Sequence, residues 1–171
     1  MRFLVTLMLL TTATATTARA EVASYTDLLI VGGTESGVAA AIQAARMGVK
    51  SITIVNDTEW LGGQFSSEAL AAIDENRGPD GYGHGVPFPR NGLFKEAIER
   101  IEAFNKDAYG EPRPGNTRVI TTGRPKDSAK VFEDLLAPYI ASRQVRVYSS
   151  LHLTEIHLGQ FVMAEFVSDT G

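Results

Sequence analysis

Leu28, Leu29, Ile30 and Val31 form an unbroken apolar run, the pattern of a buried strand covered on both faces. The stretch that follows, SGVAAAIQAARMG, is rich in alanine and carries its apolar residues at helical spacing. Ser36 is its expected N-cap and Gly48 its terminator. KSITIVN then reads as a second, β-branched strand. Strand, glycine turn, helix and strand make a βαβ unit, whose right-handed crossover sets the two strands parallel.

Between Thr58 and Pro89 the pattern breaks down into Gly, Pro, Asp and Asn, the signature of a long functional or mobile loop. Periodicity returns with Leu93, Phe94, Ala97, Ile98, Ile101 and Phe104, which predict an amphipathic helix. DSAKVFEDLLAPYIAS predicts another, capped by Asp127 or Ser128 and disturbed at Pro138. A short strand is expected at Arg118–Thr121 and another in VRVYSS. The alternating segments LHLTEIHL and FVMAEFV, on either side of Gly159, predict a C-terminal β-hairpin.

The first 20 residues change the reading of the N-terminus. Arg2, an apolar run and the small-residue site Ala18-Arg19-Ala20 have the layout of a secretory signal peptide. The expected mature chain is therefore a single domain from Glu21 to Gly171, secreted or periplasmic, with no membrane association after cleavage. The full chain of 171 residues carries a formal charge of −4. Loss of Arg2 and Arg19 brings this to about −6, which argues against nucleic acid as a partner. There is no cysteine, so disulfides and thiol chemistry are excluded. His84, His152 and His157 have no metal-ligand spacing.

The glycine turn carries the candidate chemistry. Gly32 and Gly37 occupy the first and third positions of a G-x-G-x-x-G pattern, with Thr34 where the middle glycine belongs. A helix N-terminus presents unpaired amides and a partial positive charge, which suit a pyrophosphate. The Thr34 hydroxyl is able to donate to a phosphate oxygen, whereas the Glu35 carboxylate opposes one. At the end of the second strand, where a carboxylate takes ribose hydroxyls, the chain has Asn56 followed by Asp57. On these residues alone the turn is either a phosphate cradle or a structural βα turn. A second glycine pair, Gly62-Gly63, follows within a few residues and suits a larger dinucleotide lying across the sheet.

DLLIVGGTESGVAAAIQAARMG, SITIVND and LGGQFSSEALAAIDEN together resemble the FAD-dependent oxidoreductases of the glutathione-reductase-like superfamily. The likeness is to a subgroup with a G-G-T-x-x-G turn and an L-G-G-Q loop, and is strong over roughly Asp27–Arg77. It implies an α/β fold: a Rossmann-like βαβ FAD-binding segment with a parallel sheet, two further helices and the hairpin. It implies that Gly32, Gly33, Thr34, Ser36 and Gly37 face the FAD pyrophosphate and that Asn56 or Asp57 meets the adenosine ribose. Gly62, Gly63 and Gln64 line the phosphate and flavin side, and the backbone around Val147–Leu153 approaches the adenine. His84 is the one histidine in a loop the resemblance places near the flavin, but without a paired acid or base it reads rather as an ordinary surface loop histidine. The resemblance also implies a small organic molecule as the substrate.

The same resemblance implies a longer, discontinuous FAD domain with later strands and a Gly-Asp motif that SDTG does not match. The chain thus reads as the front third of a flavoprotein, with an apolar sheet edge open to self-association. Two alternatives stand beside it. One is a truncated, non-catalytic remnant without flavin, and the other is a module for a smaller nucleotide such as NAD or AMP. Asn56-Asp57-Thr58 is also an N-glycosylation sequon, expected to be unmodified because its site is buried or filled.

Overall fold

A computed structural model describes residues 25–75, 90–115, 121–159 and 162–168. The expected leader at 1–20, His84 and most of the strand expected at Arg118–Thr121 lie outside these residues. The chain folds as strand β1 (Leu28–Val31), helix α1 (Glu35–Arg46) and strand β2 (Ile52–Val55). A short 3-10 turn at Gly63–Phe65, helix α2 (Gly92–Tyr109) and helix α3 (Pro125–Ala141) follow. Strands β3 (Val145–Tyr148), β4 (Leu151–Leu158) and β5 (Val162–Ser168) complete it.

The first three strands form a parallel sheet in the order β1-β2-β3, with Leu28 opposite Ile52 and Ile52 opposite Val145. The apolar run of β1 predicts a strand covered on both faces. The strand that meets this description is β2, in which every residue is buried. Among the described residues β1 pairs only with β2, so it is an edge strand and Val31 is 52% exposed. The expected hairpin is present as a separate two-stranded sheet, β4 against β5, with Leu153 facing Phe166 and Leu158 facing Val162.

Each helix packs on the stripe its sequence marks. On α1, Val38, Ala41, Ile42 and Ala45 are buried, one turn above another, and the alanines allow close approach to the sheet. α2 buries Ala97, Ile98 and Ile101, and α3 buries Val131, Phe132, Leu135 and Leu136. These faces share one core with Ile52, Ile54, Leu61 and Phe65. Phe65 meets Phe132 edge to face, with ring centroids 5.3 Å apart. The 3-10 turn is thereby anchored between α1 and α3.

Two local expectations are corrected. Thr34 rather than Ser36 caps α1: it has extended backbone angles, and its hydroxyl accepts the Gly37 amide at 3.2 Å. α3 starts earlier than Asp127 or Ser128, with Pro125 in its first turn and Arg124 as N-cap. Proline is favoured there because the first helical amide has no intrahelical acceptor to lose. Pro138 does not end the helix, which continues to Ala141. Of the strand expected at Arg118–Thr121 only Thr121 lies among the described residues, and its neighbour Thr122 makes an isolated antiparallel bridge with Ala72.

Candidate functional site

The turn after β1 is laced to the end of β2 through its own amides. Gly32 donates to the Val55 carbonyl at 2.7 Å and Gly33 to the Asn56 side-chain oxygen at 2.8 Å. Both glycine N–H groups are therefore spent inside the protein. The amides of Thr34, Glu35 and Ser36 are the ones that the start of α1 leaves without an intrahelical acceptor. Thr34 and Ser36 are exposed. The Thr34 hydroxyl accepts from Gly37 and keeps its own proton to donate. Gly37 is needed for contact: a side chain there would collide with the Gly32 carbonyl oxygen.

Asn56 is 2% exposed and uses both ends of its side chain. Its oxygen holds Gly33, while its nitrogen donates to the Thr58 carbonyl at 2.8 Å, the Thr58 hydroxyl at 3.0 Å and the Trp60 carbonyl at 3.0 Å. Its backbone is paired too, with Tyr148 and Leu151. The neighbouring Asp57 is exposed.

The second glycine pair lies against the first turn. Gly62 donates to the Gly33 carbonyl at 2.8 Å, and a side chain at Gly62 would come within 2.6 Å of the Phe132 ring. Gly63 has φ +49 and sits against Thr34 and the Glu35 carboxylate, leaving no space for a Cβ. Gln64, half-buried, donates its amide to Glu35 Oε2 at 3.4 Å. Thus Gly32, Gly33, Thr34, Gly37, Asn56, Gly62, Gly63 and Gln64 form one connected set, with Ser36 and Asp57 on its exposed margin.

Two further groupings have no motif in the sequence: one joins residues far apart in the chain, the other forms across the hairpin. Arg90 makes a two-pronged ion pair with Glu75, at 2.7 and 2.9 Å, and reaches Glu102 at 3.0 Å and the Thr121 hydroxyl at 2.9 Å. Glu102 also accepts from Arg113 at 2.9 Å and Thr121 at 2.7 Å. Burial pushes the Glu102 carboxyl up, but the bonds from Thr121, Arg113 and Arg90 outweigh it and hold the group below its ordinary value. On the exposed hairpin, His157 Nε2 lies 2.9 Å from Glu165 and 3.8 Å from Glu155.

A family model described as FAD dependent oxidoreductase matches residues 27–163 of the chain. Among solved structures, p-nitrophenol 4-monooxygenase from Pseudomonas putida aligns at 12% identity and TM-score 0.48, over 84% of this chain and 37% of its own. A flavoprotein/dehydrogenase from Cytophaga hutchinsonii aligns at 15% identity and TM-score 0.47, over 85% and 35% respectively. Aklavinone-11 hydroxylase, solved with FAD and aklavinone, aligns at 14% identity and TM-score 0.45, over 88% and 31%. The chain spans about a third of the length of these proteins.

Proposed function

The chain belongs to the FAD dependent oxidoreductase family, and from that premise we propose that it is the cofactor-holding front segment of an oxidoreductase acting on a small organic molecule. The observation that carries the proposal is the lacing of two glycine loops over one helix start, through Gly62 to Gly33 and Gln64 to Glu35. A structural βα turn has no need of the second loop.

FAD supplies the capacity to accept a hydride or electron pair, and the protein supplies binding and orientation. The residues present fit it. Gly63 brings a backbone without a side chain against the start of α1, whose Thr34, Glu35 and Ser36 amides have no intrahelical acceptor and carry the partial positive charge of the helix. The hydroxyls of Thr34 and Ser36 add two donors for phosphate oxygens. Of the two ribose candidates we choose Asp57, because it is exposed whereas Asn56 is buried with both ends of its amide engaged inside the protein. Gly32, Gly33 and Gly37 then shape the turn rather than touch phosphate through their amides. We further propose that the chain enters the secretory pathway through residues 1–20, and that the open edge of β1 offers a site for self-association.

A second reading is a nucleotide module, or an inactive remnant, without flavin. It is favoured by the internal use of the Gly32 and Gly33 amides and of Asn56. Competition separates the two: FAD binding that an excess of AMP or NAD leaves largely intact supports the flavin reading. Equal displacement by AMP supports the smaller nucleotide.

A further inference from the structure

Resting on the cofactor reading above, we infer that Glu35 is a built-in anion that competes with the dinucleotide for the start of α1. Its carboxylate occupies the junction of the two glycine loops. Oε2 accepts the Gln64 amide at 3.4 Å and presses against Gly63 so closely that any side chain there would strike it. Glu35 is the first residue of α1, where an acidic group is stabilised by the helix dipole. In the free protein the carboxylate therefore satisfies the positive field that a phosphate satisfies in the complex.

Binding requires that charge to give way. Glu35 and Ser36 border a cleft of about 200 Å³ whose apolar wall includes Phe65, Phe94, Phe132 and Leu135. Glu35 lines this cleft and is half-buried, so a carboxylate freed from the Gly63–Gln64 peptide must stay at the cleft's water-exposed rim rather than enter its apolar wall. A like charge a few ångströms from a phosphate in a water-exposed site changes affinity by a factor of about five, and salt reduces the effect. Glu35 thus sets how tightly, and with what salt dependence, the segment takes its cofactor.

The test titrates FAD into the full chain and its Glu35→Gln and Glu35→Asp variants at low and high salt, and follows Gln64 amide exchange in the free proteins. Glu35→Gln is expected to bind FAD about fivefold more tightly at low salt, with the advantage shrinking as salt rises. Glu35→Asp, which keeps the charge, is expected to stay within about twofold of wild type. The Gln64 amide is expected to exchange faster in a Glu35→Ala variant, which removes the acceptor that a glutamine oxygen would keep. If wild type binds FAD and Glu35→Gln binds it no better, the competition is refuted while the cofactor reading stands. Unchanged Gln64 exchange in Glu35→Ala refutes the contact itself. If neither protein takes FAD, the cofactor reading falls and the competition with it.

Discussion

The side-chain oxygen of Asn56 accepts the amide proton of Gly33 at 2.8 Å, across 23 residues of sequence. The nitrogen of the same side chain holds Thr58 and Trp60. One buried amide therefore joins the glycine turn, the end of β2 and the approach to the second glycine loop. An aspartate cannot replace it, because a carboxylate accepts and does not donate.

Asn56→Asp should therefore lower stability by about 2–4 kcal/mol, since it removes the donors and sets a buried carboxylate against two carbonyl oxygens. Chemical denaturation measures this directly. Asp57→Asn, at an exposed position, should leave stability unchanged and weaken FAD binding. A neutral Asn56→Asp would show that the clamp contributes nothing.

The clamp also bears on the Asn56-Asp57-Thr58 sequon. The nitrogen that would carry a glycan is buried and bonded to Thr58 and Trp60. Folded protein secreted from a glycosylating host is expected to show the unmodified mass at Asn56. Full glycan occupancy would contradict both the clamp and the nucleotide assignment beside it.

Gly37→Ala places a methyl group against the Gly32 carbonyl, which is backbone and unable to rotate away. α1 must lift from the turn, at an expected cost of about 2–3 kcal/mol. FAD affinity should fall with it, since the helix start moves. Thermal unfolding and FAD titration of the same variant check the two halves.

The Arg90 network predicts an acid-sensitive component of stability. Glu102 has its carboxyl held below the ordinary value in the folded chain, by Thr121, Arg113 and Arg90 acting against burial. A depressed folded value means that the unfolded chain binds the proton first, so stability is present above the ordinary carboxylate range. It is lost as pH falls through the folded value. Glu102→Gln should flatten the acid limb of a plot of denaturation midpoint against pH. An unchanged limb would assign the acid sensitivity elsewhere.

The βαβ unit was legible because its signals are local: an apolar run, a glycine turn, an alanine-rich stripe and a β-branched strand fall within one stretch of chain. The hairpin around Gly159 was legible for the same reason. The cap of α1 was not, because Thr34 and Ser36 are both good caps and only backbone angles choose between them. Pro125 carried a start signal for α3 that the nearer capping residues obscured. The use of Asn56 was hidden because its partners sit on three different segments. The Arg90 network was hidden likewise, with members between 11 and 46 residues apart.

The most direct test of the central claim is the flavin content of the purified chain. The protein is expressed in full, incubated with excess FAD, freed of unbound cofactor and denatured, and the released flavin is identified by absorbance and chromatography. Stoichiometric FAD is the predicted result. Folded, soluble protein that releases none would contradict the assignment of the Gly32–Gly37 turn and the Gly62–Gln64 loop to the cofactor.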